Sequence, residues 1–301
     1  MRKRLRKSLL SPEHKVRIVQ CIQKTGAITA MTGDGVNDAP SLKAADIGIA
    51  MGITGTEVSK QAAEMILTDD NFATIVRAVQ LGRTVYDNLL KFIRFQLITL
   101  FGYIILFIGA AVFNIADGTP LIALQILWIN FAIDIALSLS LGMDTSASDL
   151  MERSPRPSDA SFIDRARAIR WTLFGLVMAF LTLLSPLLLV GRFDENAATL
   201  FRTLTLTTLA MTHLFTTLGS RNETDTVFSG EMLTNYRFYR KMGLSVLAVI
   251  VVTEIGFLQR IFSTTSLTFV QWMVSLAVAS GMLWVMEIQK AIGRRRARIS
   301  Y

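Results

Sequence analysis

Charge is scarce in this sequence, and cysteine is scarcer. Asp, Glu, Lys and Arg make up 18% of the 301 residues, against 51% hydrophobic, and the mean hydropathy is +0.45. So few charges cannot cover so much apolar side chain in water. Disorder is excluded as well, because disordered chains are poor in apolar residues. A single cysteine, Cys21, excludes a disulfide framework and any Cys-rich zinc or iron–sulfur site. Heptads, solenoid repeats and low-complexity tracts are all missing. The basic start MRKRLRKSLL offers only Leu9-Leu10 as an apolar run before Ser11-Pro12. It therefore lacks the core and cleavage site of a signal peptide. What remains is a membrane protein with a modest soluble part.

The first 80 or so residues carry that soluble part. Val16, Ile18, Val19 and Ile22 give His14–Lys24 a helical period. Ala27–Met31 reads as a buried strand running into the Gly-rich turn Thr32-Gly33-Asp34-Gly35. Short helices are expected at Ser41–Ala45 and Thr56–Ala63, and further strands at Ile47–Ala50 and Met65–Leu67. Strands alternating with helices indicate a parallel sheet. Three short strands make a thin core, so residues 1–82 look like part of a domain.

From Phe92 the chain changes character. Segments at about 92–115, 119–143, 168–191, 199–219, 240–262 and 266–288 have cores nearly free of charge. The cores 95–113, 121–142, 171–191, 200–219, 242–258 and 267–286 hold only Asp134, Arg202, His213 and Glu254 as titratable acids and bases. Each is close to the roughly 20 residues that cross a bilayer, so 83–301 is expected to be a membrane domain of six spans. The loops 114–120, 192–198 and 259–266 hold just Arg192 and Arg260 as basic residues. The opposite loops hold Arg153, Arg156, Arg165, Arg167, Arg170, Arg221, Arg237, Arg240 and Lys241, and the tail adds Lys290, Arg294, Arg295, Arg296 and Arg298. Basic residues collect on the cytoplasmic side, which puts both termini there. It also accounts for the net charge of +8 without nucleic acid as a partner.

Met31-Thr32-Gly33-Asp34-Gly35-Val36-Asn37-Asp38-Ala39-Pro40 is the stretch that carries chemistry. Two carboxylates and a carboxamide lie on a Gly-rich loop at the carboxyl end of a strand, where open α/β sheets place their sites. Asp34 and Asp38 offer hard oxygens suited to Mg²⁺, and Asn37 can donate to a phosphoryl oxygen. The same composition also describes an ordinary polar turn.

TGDGVNDAP resembles the hinge motif of P-type cation-transporting ATPases, and the likeness is long. It includes SPEHKVRIV, ITAMTGDGVNDAPSLKAADIGIAMG, GTEVSKQAAEMILTDDNF, YDNLLKFIRF and LWINFAID, and it is most similar to the type II, calcium-pump-like group. The resemblance implies a partial α/β domain of the haloacid-dehalogenase-like (phosphorylation) fold, followed by an α-helical transmembrane bundle of six spans, helices five to ten of the family. It also implies that Asp34 coordinates Mg²⁺, that Lys15, Asn37 and Asp38 support the phosphoryl site, and that Thr32 and Gly33 line the cofactor site.

Several family motifs do not occur in this sequence: the DKTGT-like phosphorylated aspartate, the TGES-like actuator motif, the KGA-like nucleotide-binding segment and the PEGL-like helix four. The chain accordingly looks like the C-terminal portion of a pump, with a shortened or frame-disrupted reading frame as one expected origin of its basic start. A phosphoenzyme needs a carboxylate to attack the γ-phosphate. Alone, the chain is therefore expected not to turn over ATP, and Mg²⁺ with ATP to matter only in a complete pump. The expected partners are membrane lipid and the missing N-terminal part, with its actuator, nucleotide-binding domain and helices one to four. Two other readings are a non-catalytic membrane remnant or regulatory partner of an intact pump, and a secondary transporter, in which the hinge motif would be idle.

Inside the apolar segments, Asp134 stands in the second at an insertion cost of roughly 2.5–3.5 kcal/mol, with Asn130 one helical turn earlier. Such a pair serves either a cation path or a structural hydrogen-bond network. The resemblance favours the path: Asn130 and Asp134 match ligands of the transported cation, implied to be Ca²⁺, while Ile133, Leu100, Tyr103 and His213 stand where oxygen ligands are expected. One ion per cycle is the implied stoichiometry. Gln96, Thr99 and Tyr103 form a polar stripe better suited to helix packing. His213 reads either as a protonatable residue or as a packing histidine, and Glu254 as a local hydrogen-bond acceptor. Thr205, Thr208, Thr212 and Thr216 are expected to bond backbone or neighbouring helices.

Overall fold

A computed structural model describes residues 11–145, 149–156, 162–191, 197–229 and 235–299, the side chains of 296–299 excepted. The basic start, Arg192, Glu195 and the side chains of Arg296 and Arg298 lie outside the described residues. The chain divides into two compact units: residues 1–83 with 148–160, and residues 84–147 with 161–301.

In the first unit, Ser11 caps helix α1 (Pro12–Gln23) by accepting from the amide of His14, with Pro12 opening the first turn. Strand β1 (Ala30–Gly33) leads through a 3₁₀ turn (Val36–Asp38) into α2 (Ala39–Ala44). Then come β2 (Ile47–Met51), α3 (Glu57–Ala62) and β3 (Met65–Leu67). The three strands form one parallel sheet in the order β1-β2-β3, with Ala30 opposite Ile47 and Ile49 opposite Met65. Strand β1 begins three residues later than the apolar run Ala27–Met31. The reason is local: Asp46 takes both the amide and the hydroxyl of Thr29. The core is thin, built on Ile49, Met51 and Leu67.

Helix α4 (Phe72–Val112) is a single 41-residue helix and begins well before the apolar segment that starts at residue 92. The second unit continues with α5 (Ala123–Trp128), a π-helical turn (Ile129–Asp134) and α6 (Ile135–Gly142). It is completed by α7 (Arg165–Leu189), α8 (Ala198–Ser220), α9 (Tyr236–Glu254), α10 (Gly256–Phe262) and α11 (Phe269–Ile299). By length and composition, four helical stretches among the described residues can cross a membrane: α4, residues 123–142, α7 and α11. A fifth is added if α9 and α10, bent by 87° at their junction, count as one.

Helix α8 falls outside that set because it is rich in threonine, and it is the centre of the bundle. Helices α6, α7, α9 and α11 all pack against it, and 17 of its 23 residues are buried, so it has almost no face left for lipid. Its hydroxyls mostly turn back on the preceding helical turn: Thr205 donates to the carbonyl of Phe201, Thr212 to Leu209 and Thr216 to Thr212. The Oγ1 of Thr208 has no partner among the described residues. Between α4 and α7, glycine is required. A Cβ on Gly175 would lie 2.9 Å from the amide nitrogen of Gly102, and one on Gly102 2.6 Å from the sulfur of Met178.

Candidate functional site

The hinge loop leaves β1 at Gly33 and folds back over the strand end. Asp38 is buried, and its Oδ2 accepts from the amides of Asp34 and Gly35, both at 3.3 Å. Its Oδ1 pairs with the ammonium of Lys15, brought in from α1. Gly33 makes room for this fold, because a Cβ there would lie 2.4 Å from the Cβ of Asp38. Burial pushes the Asp38 carboxyl up, but Lys15 and the two amides outweigh it and hold the group below its ordinary value.

Asp34 is arranged differently. Its carbonyl accepts from the Thr56 amide at 2.8 Å and the Ser59 hydroxyl at 3.1 Å, which fixes the backbone. Its exposed side chain makes no hydrogen bond among the described residues, and the same holds for Asn37. Thr32 is half-buried in β1 and Gly33 is buried. The loop thus brings Lys15 and Asp38 together as a structural pair and presents Asp34 and Asn37 outward. Of the two carboxylates, Asp34 is the one with oxygens free for a hard cation such as Mg²⁺.

In the second unit, Asp134 ends the π-helical turn and is buried. Its Oδ1 lies 2.6 Å from Nδ1 of His213 on α8, which is wholly buried. The rings of Tyr103 and Phe95 meet that imidazole edge-on at 5.7 Å and 6.0 Å. The buried Nε2 of His213 and Oη of Tyr103 have no partner among the described residues. Beside Asp134 opens a cavity of about 660 Å³ lined on its polar side by Gln96, Thr99, Tyr103, Asn130, Asp134 and Ser138. The stripe Gln96, Thr99 and Tyr103 therefore faces the same space as Asn130 and Asp134, where packing alone was expected of it. The π winding places Asn130 exposed and Asp134 buried, yet both reach the cavity. Among the described residues, no three of His, Cys, Asp and Glu cluster as metal ligands. A cation here would rest on one carboxylate with amide and hydroxyl oxygens.

The pairing of Asp134 with His213 is the main feature that sequence reasoning missed. A signal existed: a carboxylate inside apolar helices needs a partner, and His213 is one of only two histidines in the chain. A second missed feature is Asp144, just past α6. It accepts from Lys91 at 3.1 Å, from Arg221 through two bonds of 3.1 Å, and from Asn235 at 2.9 Å. Its carbonyl takes the Asn88 amide, so one residue ties α4, α6, α8 and the start of α9. Burial pushes the Asp144 carboxyl up, while Arg221 and Lys91 hold it below its ordinary value.

Residues 118–292 match the family model described as cation transporting ATPase, C-terminus. The chain is 39% identical over 289 residues to calcium-transporting ATPase 1 of Schizosaccharomyces pombe, covering 96% of this chain and 32% of that protein. It is 40% identical over 274 residues to a calcium-transporting ATPase of Bacillus subtilis, covering 90% and 30%. With calcium-transporting ATPase type 2C member 1 of Mus musculus it shares 37% over 291 residues, covering 96% and 31%. The chain thus spans about a third of the length of the curated relatives it matches. It belongs to the P-type cation-transporting ATPases of the calcium-pump type, and it corresponds to their C-terminal portion.

Proposed function

We propose that this chain forms the C-terminal part of an ATP-driven cation transporter, with Ca²⁺ as the cation. The observation that carries the reading is the presence, in one chain, of a free carboxylate on a pinned phosphoryl-type loop and a buried carboxylate on a π-helical turn beside a polar cavity. In this reading residues 1–82 belong to a haloacid-dehalogenase-like phosphorylation domain. Asp34 holds Mg²⁺, which when bound offsets charge on the transferred phosphoryl group. Lys15 and Asp38 fix the loop, Thr32 and Gly33 shape its base, and Asn37 donates to a phosphoryl oxygen. Asn130 and Asp134 contribute to a cation path that carries one ion per cycle. Ca²⁺ takes six to eight oxygens, so further ligands come from the remainder of the pump, its helix four included.

The reading includes six spans, with α8 as the sixth, and both termini in the cytoplasm. Cysteine labelling tests this: Asp117→Cys is expected to react from outside, and Asp149→Cys and Arg295→Cys only from inside.

The functional test supplies the N-terminal two-thirds of a calcium-transporting relative together with this chain. Acid-stable phosphorylation and Ca²⁺ uptake into vesicles are expected to appear. Asp34→Ala should weaken the Mg²⁺ dependence of phosphorylation, and Asp134→Asn should abolish uptake. Full uptake by Asp134→Asn, or two ions per ATP, would place the cation site elsewhere.

A further inference from the structure

A groove runs between α9 and α11. Both helices pack on α8 and scarcely on each other, so α8 forms its floor. From α9 come Met242, Val246, Ile250 and Glu254, spaced by four and so a single stripe along one side. Twelve residues of helix make that stripe about 18 Å long. The groove's volume is about 640 Å³. Its floor, Met211–Leu218 of α8, and its other wall, Phe269–Leu276 of α11, are each about 10 Å long. It is an apolar groove that takes part of an extended hydrocarbon chain.

The lining is aliphatic, aromatic or thioether except at one end. There Glu254 closes α9, and the helix axis swings by 87° into α10. Oε1 of Glu254 accepts from the Leu267 amide and from Nε1 of Trp272, both at 3.4 Å. Its Oε2 has no partner among the described residues. Trp272 is the kind of side chain that marks a membrane–water boundary. A carboxylate with one open oxygen at the end of an apolar groove is complementary to a cation carried on an apolar body.

We infer that this groove binds a phospholipid with a primary ammonium headgroup, of the phosphatidylethanolamine type. The acyl chain lies along the Met242–Ile250 stripe, and the ammonium donates to Glu254. A glycerol headgroup has no cation to offer that carboxylate. A choline headgroup has a cation but no N–H. The order of affinity is therefore ethanolamine, then choline, then glycerol. The lipid site does not depend on the ion-transport reading.

The test uses the full chain, stripped of lipid in detergent and then exposed to equimolar phosphatidylethanolamine, phosphatidylcholine and phosphatidylglycerol. Retained lipid is counted by native mass spectrometry. One charge-assisted hydrogen bond corresponds to a preference of about tenfold for ethanolamine over glycerol. Glu254→Gln is expected to erase the preference while leaving total lipid retained, and Ile250→Trp to fill the groove and lower retention of all three. Should either variant fail to fold, quenching of the native protein's tryptophans by brominated-chain ethanolamine lipid, against the glycerol lipid, decides alone. Equal retention of the two lipids by the native chain overturns the inference, as does a preference that survives Glu254→Gln. Occupancy of the groove by a co-purified membrane peptide that lipid cannot displace overturns it too.

Discussion

Two carboxylates in this chain each meet a basic partner from distant sequence, under opposite conditions of solvation. Asp38 meets Lys15 at a loop, where the lysine side chain keeps 30% of its exposure and two backbone amides share the carboxylate. Asp134 meets His213 inside the helical bundle, where the imidazole is 0% exposed and no amide assists. Water and backbone can take over the first partner's role. Around Asp134 the other described polar groups are the neutral Tyr103 hydroxyl and the amides and hydroxyls of the cavity, and none of them is basic. The same pairing is therefore a refinement at the loop and a requirement in the bundle.

The largest expected effect is at His213. Leaving a buried carboxylate without its hydrogen-bond partner costs at least about 1–3 kcal/mol, and more when the group is charged, so His213→Ala should lower the unfolding midpoint of the detergent-solubilised chain sharply. His213→Gln, which can still donate, should recover part of the loss. A native-like midpoint for His213→Ala would break the comparison.

Next comes Gly33→Ala. Its Cβ would collide with that of Asp38, and overpacking of this kind costs about 1–3 kcal/mol. Hydrogen exchange at the β1 and β2 amides should quicken accordingly. Lys15→Ala should cost about 1 kcal/mol or less, because the amides of Asp34 and Gly35 still hold Asp38. A loss as large as that at His213 would mean that the loop pair is as isolated as the buried one.

The smallest effect is in pH. Asp70 accepts from the Ile53 and Thr54 amides and the Thr54 hydroxyl, and the Ile53 amide leads in drawing its carboxyl down from 3.8 to about 2. A carboxyl whose value falls on folding stabilises the fold fully above its unfolded value and loses that contribution as pH falls through the folded one. The contribution of Asp70 is thus complete above pH 3.8 and lost toward about pH 2. Asp38 loses its own in the same direction. Acid titration followed by exchange at β2 should show a shallower acid limb in Asp70→Asn.

Short-range features were legible in the sequence. Ser11-Pro12 announces a helix start, and the strand at 47–51 and the strand at 65–67 fall where apolar runs are bounded by turn residues. Asp134 was legible as a costly residue in an apolar segment. What escaped depends on distance or on winding. His213 lies 79 positions from Asp134, and no local pattern joins them. The role of Asp144 needs Lys91, Arg221 and Asn235 to converge from three other helices. The π-helical turn carries no proline or glycine to announce it, and periodicity read at 3.6 residues passes over it. The central place of α8 was hidden by its threonines, which look poorly suited to a membrane until their hydroxyls are seen bonded within the helix.

The π-helical turn also makes the polypeptide unusually tolerant of one kind of genetic accident. A wide turn is an α-helix with one residue to spare, so deleting a single codon within 129–134 would let the helix close into ordinary winding while the residues on either side keep their faces. Ser138, which donates to Gln96, would stay on its side of the helix, as would Leu137 and Leu141 in the core. The same deletion within the ordinary winding of α6 would rotate every residue beyond it by about 100° relative to those before it. The loss of one codon would thus be a local injury in the wide turn, confined to the spacing of Asn130 and Asp134, and a global one a single turn later.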